Sequence, residues 1–492
     1  MTLATASSAR VDLTAATLDR AFVGGRWLGA DSGEDIPVVD PATGEVIGSV
    51  PRMGRMETLA AIEAAHGAWG PWRARTAGER SAVLRRWADL VYLHQERLAE
   101  LLTAEQGKPL AESRAEIGAS AGFLTWFAEE GRRAYGRTIP TDRADRRLSV
   151  IRQPIGVVAA ITPWNFPSSM ITRKAGPALA AGCTMVVKPS EETPLSALAL
   201  ARLAEEAGVP AGVFNVVTGA AREIGGALTG SHLVRKLTFT GSTAVGKLLA
   251  EQSAATVKRV SLELGGNAPF IVCDDADLDA AVEGALRSKF RNAGQACVAT
   301  NRIYVQDGIH DRFVAAFTDR VRELAVGAGA APGTEVGSMI NAGAAAAMSA
   351  LLDEAVGAGA RIAAGGAPHP QGAAFFAPTV LVNADDEMEC CREETFGPIA
   401  PVMRFHDDAE AIRRANATAY GLVAYCYTTD YRRLTRFAEE LEFGMVGMND
   451  FSVSTEVAPF GGVKESGIGR EGSDYGLDEY TEIKYVCTGG MS

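Results

Sequence analysis

Paired cysteine spacing is missing from this chain. Its seven cysteines stand apart, and the adjacent Cys390 and Cys391 do not make a metal motif, so neither a disulfide framework nor a metal site is expected. Thiols used this way suit a reducing cytoplasm. A basic excess is missing too. Lys plus Arg is 48 against 60 for Asp plus Glu, a net charge of −12, which repels phosphate backbones and anionic lipid and argues against nucleic-acid and membrane-surface roles. Long apolar runs are also lacking. Stretches such as Ala175 to Val187 fall short of the roughly 20 residues a membrane span needs. Residues 1–20 are Ala/Thr/Ser-rich, with no charged segment leading into an apolar block, so they read as a loose leader rather than a signal peptide. No internal repeat is evident. What remains is an ordinary globular composition, 47% hydrophobic and 22% charged, and a length of 492 residues that suggests roughly three domains at about 150 residues each.

From Ala21 to Arg52, short β-rich runs alternate with the turn signals Gly24-Gly25, Asp40-Pro41 and Thr43-Gly44, a pattern of hairpins. Leu84, Trp87, Val91, His94, Leu98 and Leu101 recur at steps of three and four and predict one face of a single long helix, stopped by Gly107 and Pro109. Beyond Pro154, β-branched runs alternate with Ala-rich helices. The runs are Ile155 to Ile161, Thr184 to Val187, Val213 to Val217, Leu237 to Thr240 and Val260 to Leu264, and they predict βαβ units around a parallel sheet. A second α/β stretch runs from Ala268 to about Phe451 and includes a packed surface helix around Ala342 to Ala360. Gly136 to Arg152 and Tyr480 to Cys487 read as β-ribbon, whose open edges call for a covering loop or a partner subunit.

Several short motifs carry chemistry. Leu237-Thr-Phe-Thr-Gly-Ser-Thr-Ala-Val-Gly246-Lys247 is a Gly-rich turn opening a helix, which suits either a phosphate or a plain turn with Ser242 as N-cap. It nearly spells a P-loop, but Leu248 replaces the hydroxyl that would hold Mg²⁺, so the nucleotide-triphosphatase reading fails. Asn292-Ala-Gly-Gln-Ala-Cys297 places a cysteine in a Gly-flanked loop, as a nucleophile or as an inert buried thiol. The six histidines all lie outside the Gly-rich motifs, so Glu263, in Glu-Leu-Gly-Gly266, is the best local candidate for a base. Thr162-Pro-Trp-Asn-Phe-Pro167 stiffens an amide between aromatics, as an oxyanion donor would need or as a structural turn would.

The set Pro163-Trp-Asn-Phe-Pro167, Lys188-Pro-Ser-Glu191, Phe239-Thr-Gly-Ser242, Glu263-Leu-Gly-Gly266, Gly294-Gln-Ala-Cys297 and Glu394-Thr-Phe-Gly-Pro398 resembles the NAD(P)-dependent aldehyde dehydrogenase superfamily, from about Phe22 to Gly489. The resemblance implies an α/β fold with a Rossmann-type cofactor domain, an α/β catalytic domain and a small β-ribbon oligomerisation domain. It divides the chain into a leader (1–20), a cofactor-binding domain (21–135 and 153–263), a catalytic domain (264–453), a ribbon (136–152 and 470–492), and a return segment (454–469) lining the cleft. It assigns Cys297 as nucleophile, Asn165 with the Cys297 backbone amide as oxyanion donors, and Glu263 as the base that activates water against a thioester. Lys188 and Glu191 match positions at the adenosine ribose, Ser242 a pyrophosphate contact, and Glu394 with Phe396 the nicotinamide-ribose end; Trp164, Ser190, Gly241 and Leu264 are further cofactor-binding positions that the resemblance implies. A carboxylate at position 191 accepts from both ribose hydroxyls and repels a 2′-phosphate, which favours NAD, with NADP left open by Lys188. A cytoplasmic homodimer or homotetramer is implied, acting on a small aldehyde.

Within the superfamily, Pro167-Ser-Ser-Met-Ile-Thr-Arg-Lys174, Lys289-Phe-Arg-Asn-Ala-Gly-Gln295 and the tail from Ser454 to Tyr475 look like succinate-semialdehyde dehydrogenase. They place Arg173, Arg291 and Ser454 around a substrate carboxylate, which a guanidinium fork matches bidentately. Two departures matter. Position 299 is Ala, so a Cys-x-Cys switch at the nucleophile is excluded. Phe451 stands where relatives carry small residues and is expected to alter the pocket, which leaves glutarate semialdehyde or a hydrophobic or aromatic aldehyde as alternatives. A CoA-acylating enzyme and a non-catalytic binding protein are disfavoured by retention of Glu263, Cys297 and Asn165.

Overall fold

The computed structural model describes residues 11–490. Val157–Ile161, Thr184–Lys188, Phe214–Val216, Val234–Thr240 and Arg259–Glu263 are short runs rich in Val, Leu, Met and Phe. Such runs suit strands covered on both faces, and these five pair in parallel at the centre of an eight-stranded sheet. Chain order runs outward from Val157–Ile161 to Phe214–Val216. It then jumps back to set Val234–Thr240 on the other side of Val157–Ile161. At that reversal the crossing connections leave to opposite faces, and a crevice opens beyond the carboxyl ends of the strands. One edge is closed by the hairpin Ala21–Val23 and Arg26–Leu28, whose turn Gly24 and Gly25 make at φ +61° and +77°. The other edge is closed by Gly467–Ile468, antiparallel to Arg259–Glu263 with Gly467 opposite Glu263.

A second, seven-stranded sheet has Ala268–Val272 between Thr300–Gln306 and Val423–Tyr427, all parallel, with Arg361–Ala364 as an antiparallel edge. The two ribbon pieces pair with each other. Thr481–Gly489 runs antiparallel to Arg146–Pro154, which pairs on its other side with Arg137–Ile139, so part of each edge is covered within the chain. Ile483 and Tyr485 remain exposed.

The predicted single long helix is two helices, Ala77–Leu93 and Gln95–Gln106, broken at His94 (φ −100°, ψ 16°). Leu84, Trp87, Val91, Leu98 and Leu101 are buried on both sides of the break. The apolar stripe therefore continues across a one-residue interruption that carries neither Gly nor Pro to announce it. Gly107, at φ +91°, ends the second helix. Residues 1–10 of the leader lie outside the described residues. The rest does not hang loose, because Leu13 and Leu18 are buried in the core. The helix at Ala342–Gly357 buries Ala345, Met348, Leu352 and Ala355. Among the described residues no helix is long and apolar enough to cross a membrane, and no group of three or more His, Cys, Asp or Glu is placed to hold a metal ion.

Candidate active site

The four loops that leave the carboxyl ends of the central strands converge on the crevice. Trp164 and Asn165 follow Val157–Ile161, Gly241 and Ser242 follow Val234–Thr240, and Glu263 ends Arg259–Glu263 with Leu264 after it. With Cys297, Glu394 and Phe396 from the second sheet's side, they wall a cavity of about 310 Å³. Lys188, Ser190 and Glu191 gather at the end of the neighbouring strand, beyond that wall. There Lys188 Nζ donates to Glu191 Oε2 at 2.7 Å, while Glu191 Oε1 accepts from the Ala221 backbone amide at 3.1 Å.

Glycines explain how the backbones come so close. A Cβ on Gly266 would lie 2.2 Å from the Cys297 carbonyl oxygen, and one on Gly265 would lie 2.8 Å from Glu394 Oε2. Glu394 Oε1 in turn accepts from the Gly266 amide at 2.9 Å. The two glycines after Glu263 are therefore the surface on which the Cys297 loop and Glu394 rest. Ser242 Oγ accepts from Val245 and caps the helix Thr243–Ala254, so the N-cap and phosphate-site readings of this turn are compatible. The amide-rich helix end faces a crevice whose far side is Trp164 packed edge-on against Phe396, 5.4 Å between centroids. Backbone amides at a helix start facing an aromatic pair are a donor set that would suit a dinucleotide.

The loop leading to Cys297 is held in an unusual backbone. Asn292, Ala293 and Gly294 have φ of +51°, +54° and +76°, a left-handed run that L-residues adopt only under outside constraint. Gln295 supplies it. Its side chain donates to the Asn292 carbonyl at 3.0 Å and accepts from Ile340 N at 2.8 Å. Asn165 Nδ2 donates to the Gln295 carbonyl at 3.1 Å, and its Oδ1 accepts from Phe166 N at 3.1 Å, so the amide has one orientation and one N–H left over.

Burial and the carboxylates of Glu394 and Glu263 push the Cys297 thiol up to about 12. It is therefore protonated near neutrality, so a nucleophilic role would call for a base. Glu263 is 3% exposed, and neither of its carboxylate oxygens has a hydrogen-bond partner among the described residues. Burial, with Glu471 nearby, holds its carboxyl well above the ordinary range, opposed by Lys174, Arg173 and Arg470.

On the other face of Cys297 lies a smaller cavity of about 90 Å³, bounded by Phe123, Phe166, Arg173, Arg291, Ser454 and Phe460 among others. Arg173 is clamped between the Phe123 and Phe460 rings, 4.7 Å from each centroid, and its Nη2 donates to Ser454 Oγ at 3.1 Å. Its Nε is buried without a partner among the described residues. Arg291 lies 5.0 Å from the Phe166 ring centroid. Phe451 departs from expectation, for it is not in the wall of this cavity. Its ring packs against the Arg287 guanidinium at 5.9 Å and against the catalytic-side core.

The chain matches the aldehyde dehydrogenase family over residues 27–486. It is 58% identical over 472 residues to the glutarate-semialdehyde dehydrogenase of Pseudomonas aeruginosa, covering 96% of this chain and 98% of that protein. The chain belongs to the aldehyde dehydrogenase family. Identity is also 58%, over 470 residues, to a succinate-semialdehyde dehydrogenase [NADP(+)] of Escherichia coli, with 96% and 98% coverage. A crystal structure of an E. coli NADP-dependent enzyme superposes with a TM-score of 0.95 at 58% identity, covering 96% of this chain and 99% of that one. The α/β fold expected from the motifs is thus this dehydrogenase's fold, and it is an NAD(P)-dependent oxidoreductase.

Some pairings around the site left no mark in the sequence. Lys174 Nζ donates to Thr240 Oγ1 at 2.7 Å and to Glu471, and Glu471 also pairs with Arg173. This cluster sets the field at Glu263; its members lie in segments that carry the resemblance, yet nothing in the sequence shows that they pair. Phe123 and Phe460, which clamp Arg173, were equally silent.

Proposed function

We propose that this aldehyde dehydrogenase oxidises succinate semialdehyde to succinate, with NAD as the preferred cofactor. The observation that carries the substrate is the small cavity beside Cys297. At about 90 Å³ it is much the smaller of the two cavities that meet at Cys297, and two guanidinium groups stand in its wall. Arg173, fixed between two phenyl rings with an unpaired Nε, and Arg291 offer guanidinium donors to a carboxylate, and Ser454 offers a hydroxyl.

The chemistry follows from the chain's own groups. Glu263 takes the Cys297 proton, directly or through water, as sulfur adds to the aldehyde carbon. The carbonyl electron pair moves onto oxygen, and the remaining Asn165 N–H and the Cys297 backbone amide stabilise it. A bound dinucleotide would supply the hydride acceptor that lets the adduct on Cys297 become a thioester. Glu263 passes the thiol's proton on to solvent, then draws a proton from water as the water attacks that thioester; the thiolate leaves, takes that proton from Glu263, and the acid departs with Cys297 restored. Retention of Glu263 favours water over coenzyme A as the acyl acceptor. Glu191, already oriented by Lys188 and the Ala221 amide, presents negative charge where a 2′-phosphate would approach. That supports NAD over NADP.

Glutarate semialdehyde is the second reading. Phe451 stands outside the wall, so it does not shorten the chain the cavity accepts, and a relative of that name shares 58% of its residues with this protein. The exposed Ile483 and Tyr485 on the three-stranded ribbon support a homo-oligomer assembled through that sheet, and seven free thiols suit a reducing compartment such as the cytoplasm. Initial rates of cofactor reduction on succinate semialdehyde, glutarate semialdehyde, butanal and benzaldehyde test the substrate. The four-carbon semialdehyde is expected to lead in kcat/KM, and a lead by benzaldehyde would refute the carboxylate pocket.

A further inference from the structure

Lys108 and Glu116 form an ion pair at 2.7 Å with side chains 0% and 1% exposed, and the reaction as described makes no use of them. Dehydrating two charges costs several kcal/mol each, and apolar side chains of similar volume would pack the same space at least as stably. What the pair holds sets it apart from a packing contact. Lys108 Nζ also donates to the backbone carbonyl of Asn165 at 2.6 Å and sits 3.9 Å from the centre of the Phe166 ring. Glu116 Oε1 accepts from the amides of Ser168 and Ser169, at 2.9 and 3.1 Å, where the helix Ser169–Ala181 that carries Arg173 begins. The Asn165 carbonyl takes a second bond, from Asn292 Nδ2 at 3.1 Å. The Asn292 amide itself donates to Glu112, at 2.9 and 3.2 Å to the two oxygens.

Residues 108–116 thus reach the oxyanion amide, the left-handed nucleophile loop and the start of the arginine helix together. We infer that Lys108 and Glu116 are positioning residues for the Asn165 side-chain amide, fixing its backbone carbonyl so that the one uncommitted N–H faces the aldehyde oxygen. The inference rests on the reading of Asn165 as an oxyanion donor. With the carbonyl pinned by Lys108 and Asn292, and with Oδ1 and one N–H of the side chain already bonded to Phe166 N and Gln295 O, the peptide cannot rotate without breaking a buried bond. Without Lys108 the carbonyl keeps only the Asn292 bond and the peptide is held less tightly, and a displacement of about 1 Å at such a donor costs up to about a hundredfold in rate.

A double-mutant cycle tests this on the full-length enzyme: Lys108→Met, Asn165→Ala and the pair together, with kcat and both KM values on succinate semialdehyde and on butanal, and the thermal midpoint of each variant. Lys108→Met is expected to lower kcat about ten- to a hundredfold on both aldehydes, with the cofactor KM unchanged. In the Asn165→Ala background the same change should cost less than about twofold, because two groups acting through one amide are not additive. Equal losses in both backgrounds would mean general loosening and overturn the inference. If Lys108→Met does not fold, Glu116→Gln goes through the same cycle and is judged by the same two results. Wild-type kcat in Asn165→Ala alone would refute the oxyanion reading itself, and the inference with it.

Discussion

The cavity on the cofactor side of Cys297 is walled by loops leaving adjacent strands and held open by glycines, whereas the one on the substrate side is walled by side chains borne on separate helices and on the return segment. In the first, backbone approach decides the shape: Gly265 and Gly266 bear Glu394 and the Cys297 carbonyl directly, and a single methyl group would force them apart. In the second, the side chains of Phe123, Arg173, Arg291 and Phe460 decide it. The difference teaches that the chemistry belongs to the backbone topology while the substrate belongs to replaceable side chains, an arrangement in which one fold serves many aldehydes.

The comparison breaks first at the residue both cavities share. Cys297→Ala is expected to abolish turnover, by at least about a thousandfold, while NAD binding measured by fluorescence stays near wild type, since the cofactor wall is otherwise intact. Loss of NAD binding in that variant would mean the two cavities are not separately built. Glu263 lines the larger cavity and, in the proposed reaction, serves both halves. Its carboxyl is held well above the ordinary range and works as a base only when ionised, so kcat should climb as pH rises through that elevated pKa. In Glu263→Gln the climb should disappear, with kcat lower by about 10²- to 10⁴-fold. An unchanged pH profile would assign the base to another group. Alkylation of Cys297 in the cofactor-free enzyme should likewise quicken with pH and show no plateau near neutrality, because its thiol is raised to about 12. A smaller effect is expected at the cofactor's far end. Glu191→Ser removes the charge facing a 2′-phosphate and frees Lys188, and the NADP to NAD ratio of kcat/KM should rise about tenfold.

The same division governs what the sequence made legible. The strands, the Gly-rich turns and the six motifs on the cofactor side are local patterns, and each maps to a strand end or a loop in the crevice. Arg173, Arg291 and Ser454 were reached only through resemblance, because nothing in their spacing shows that Phe123 and Phe460 clamp one of them. Phe451 was expected in the pocket on its bulk and its place in the chain, but it turns toward Arg287 instead. The break at His94 escaped because burial resumes in phase beyond it. The Lys174–Glu471 pair escaped because long-range ion pairs have no periodicity, and the Lys108–Glu116 pair because its eight-residue spacing spans a helix start and matches no helical step. Gly107 and Pro109 announced the end of a helix, and nothing announced that the lysine between them reaches the Asn165 carbonyl.

The central claim is that the side-chain-built cavity selects a carboxylate independently of the catalytic machinery. The most direct test is kcat/KM of Arg291→Ala on succinate semialdehyde and on butanal, set against wild type. Loss of one charge-assisted contact, about 1.5–3 kcal/mol, should lower the semialdehyde value about ten- to a hundredfold, mostly through KM, and leave butanal within about twofold. Equal losses on both aldehydes would contradict the claim and make Arg291 a support of the nucleophile loop instead of a reader of the substrate.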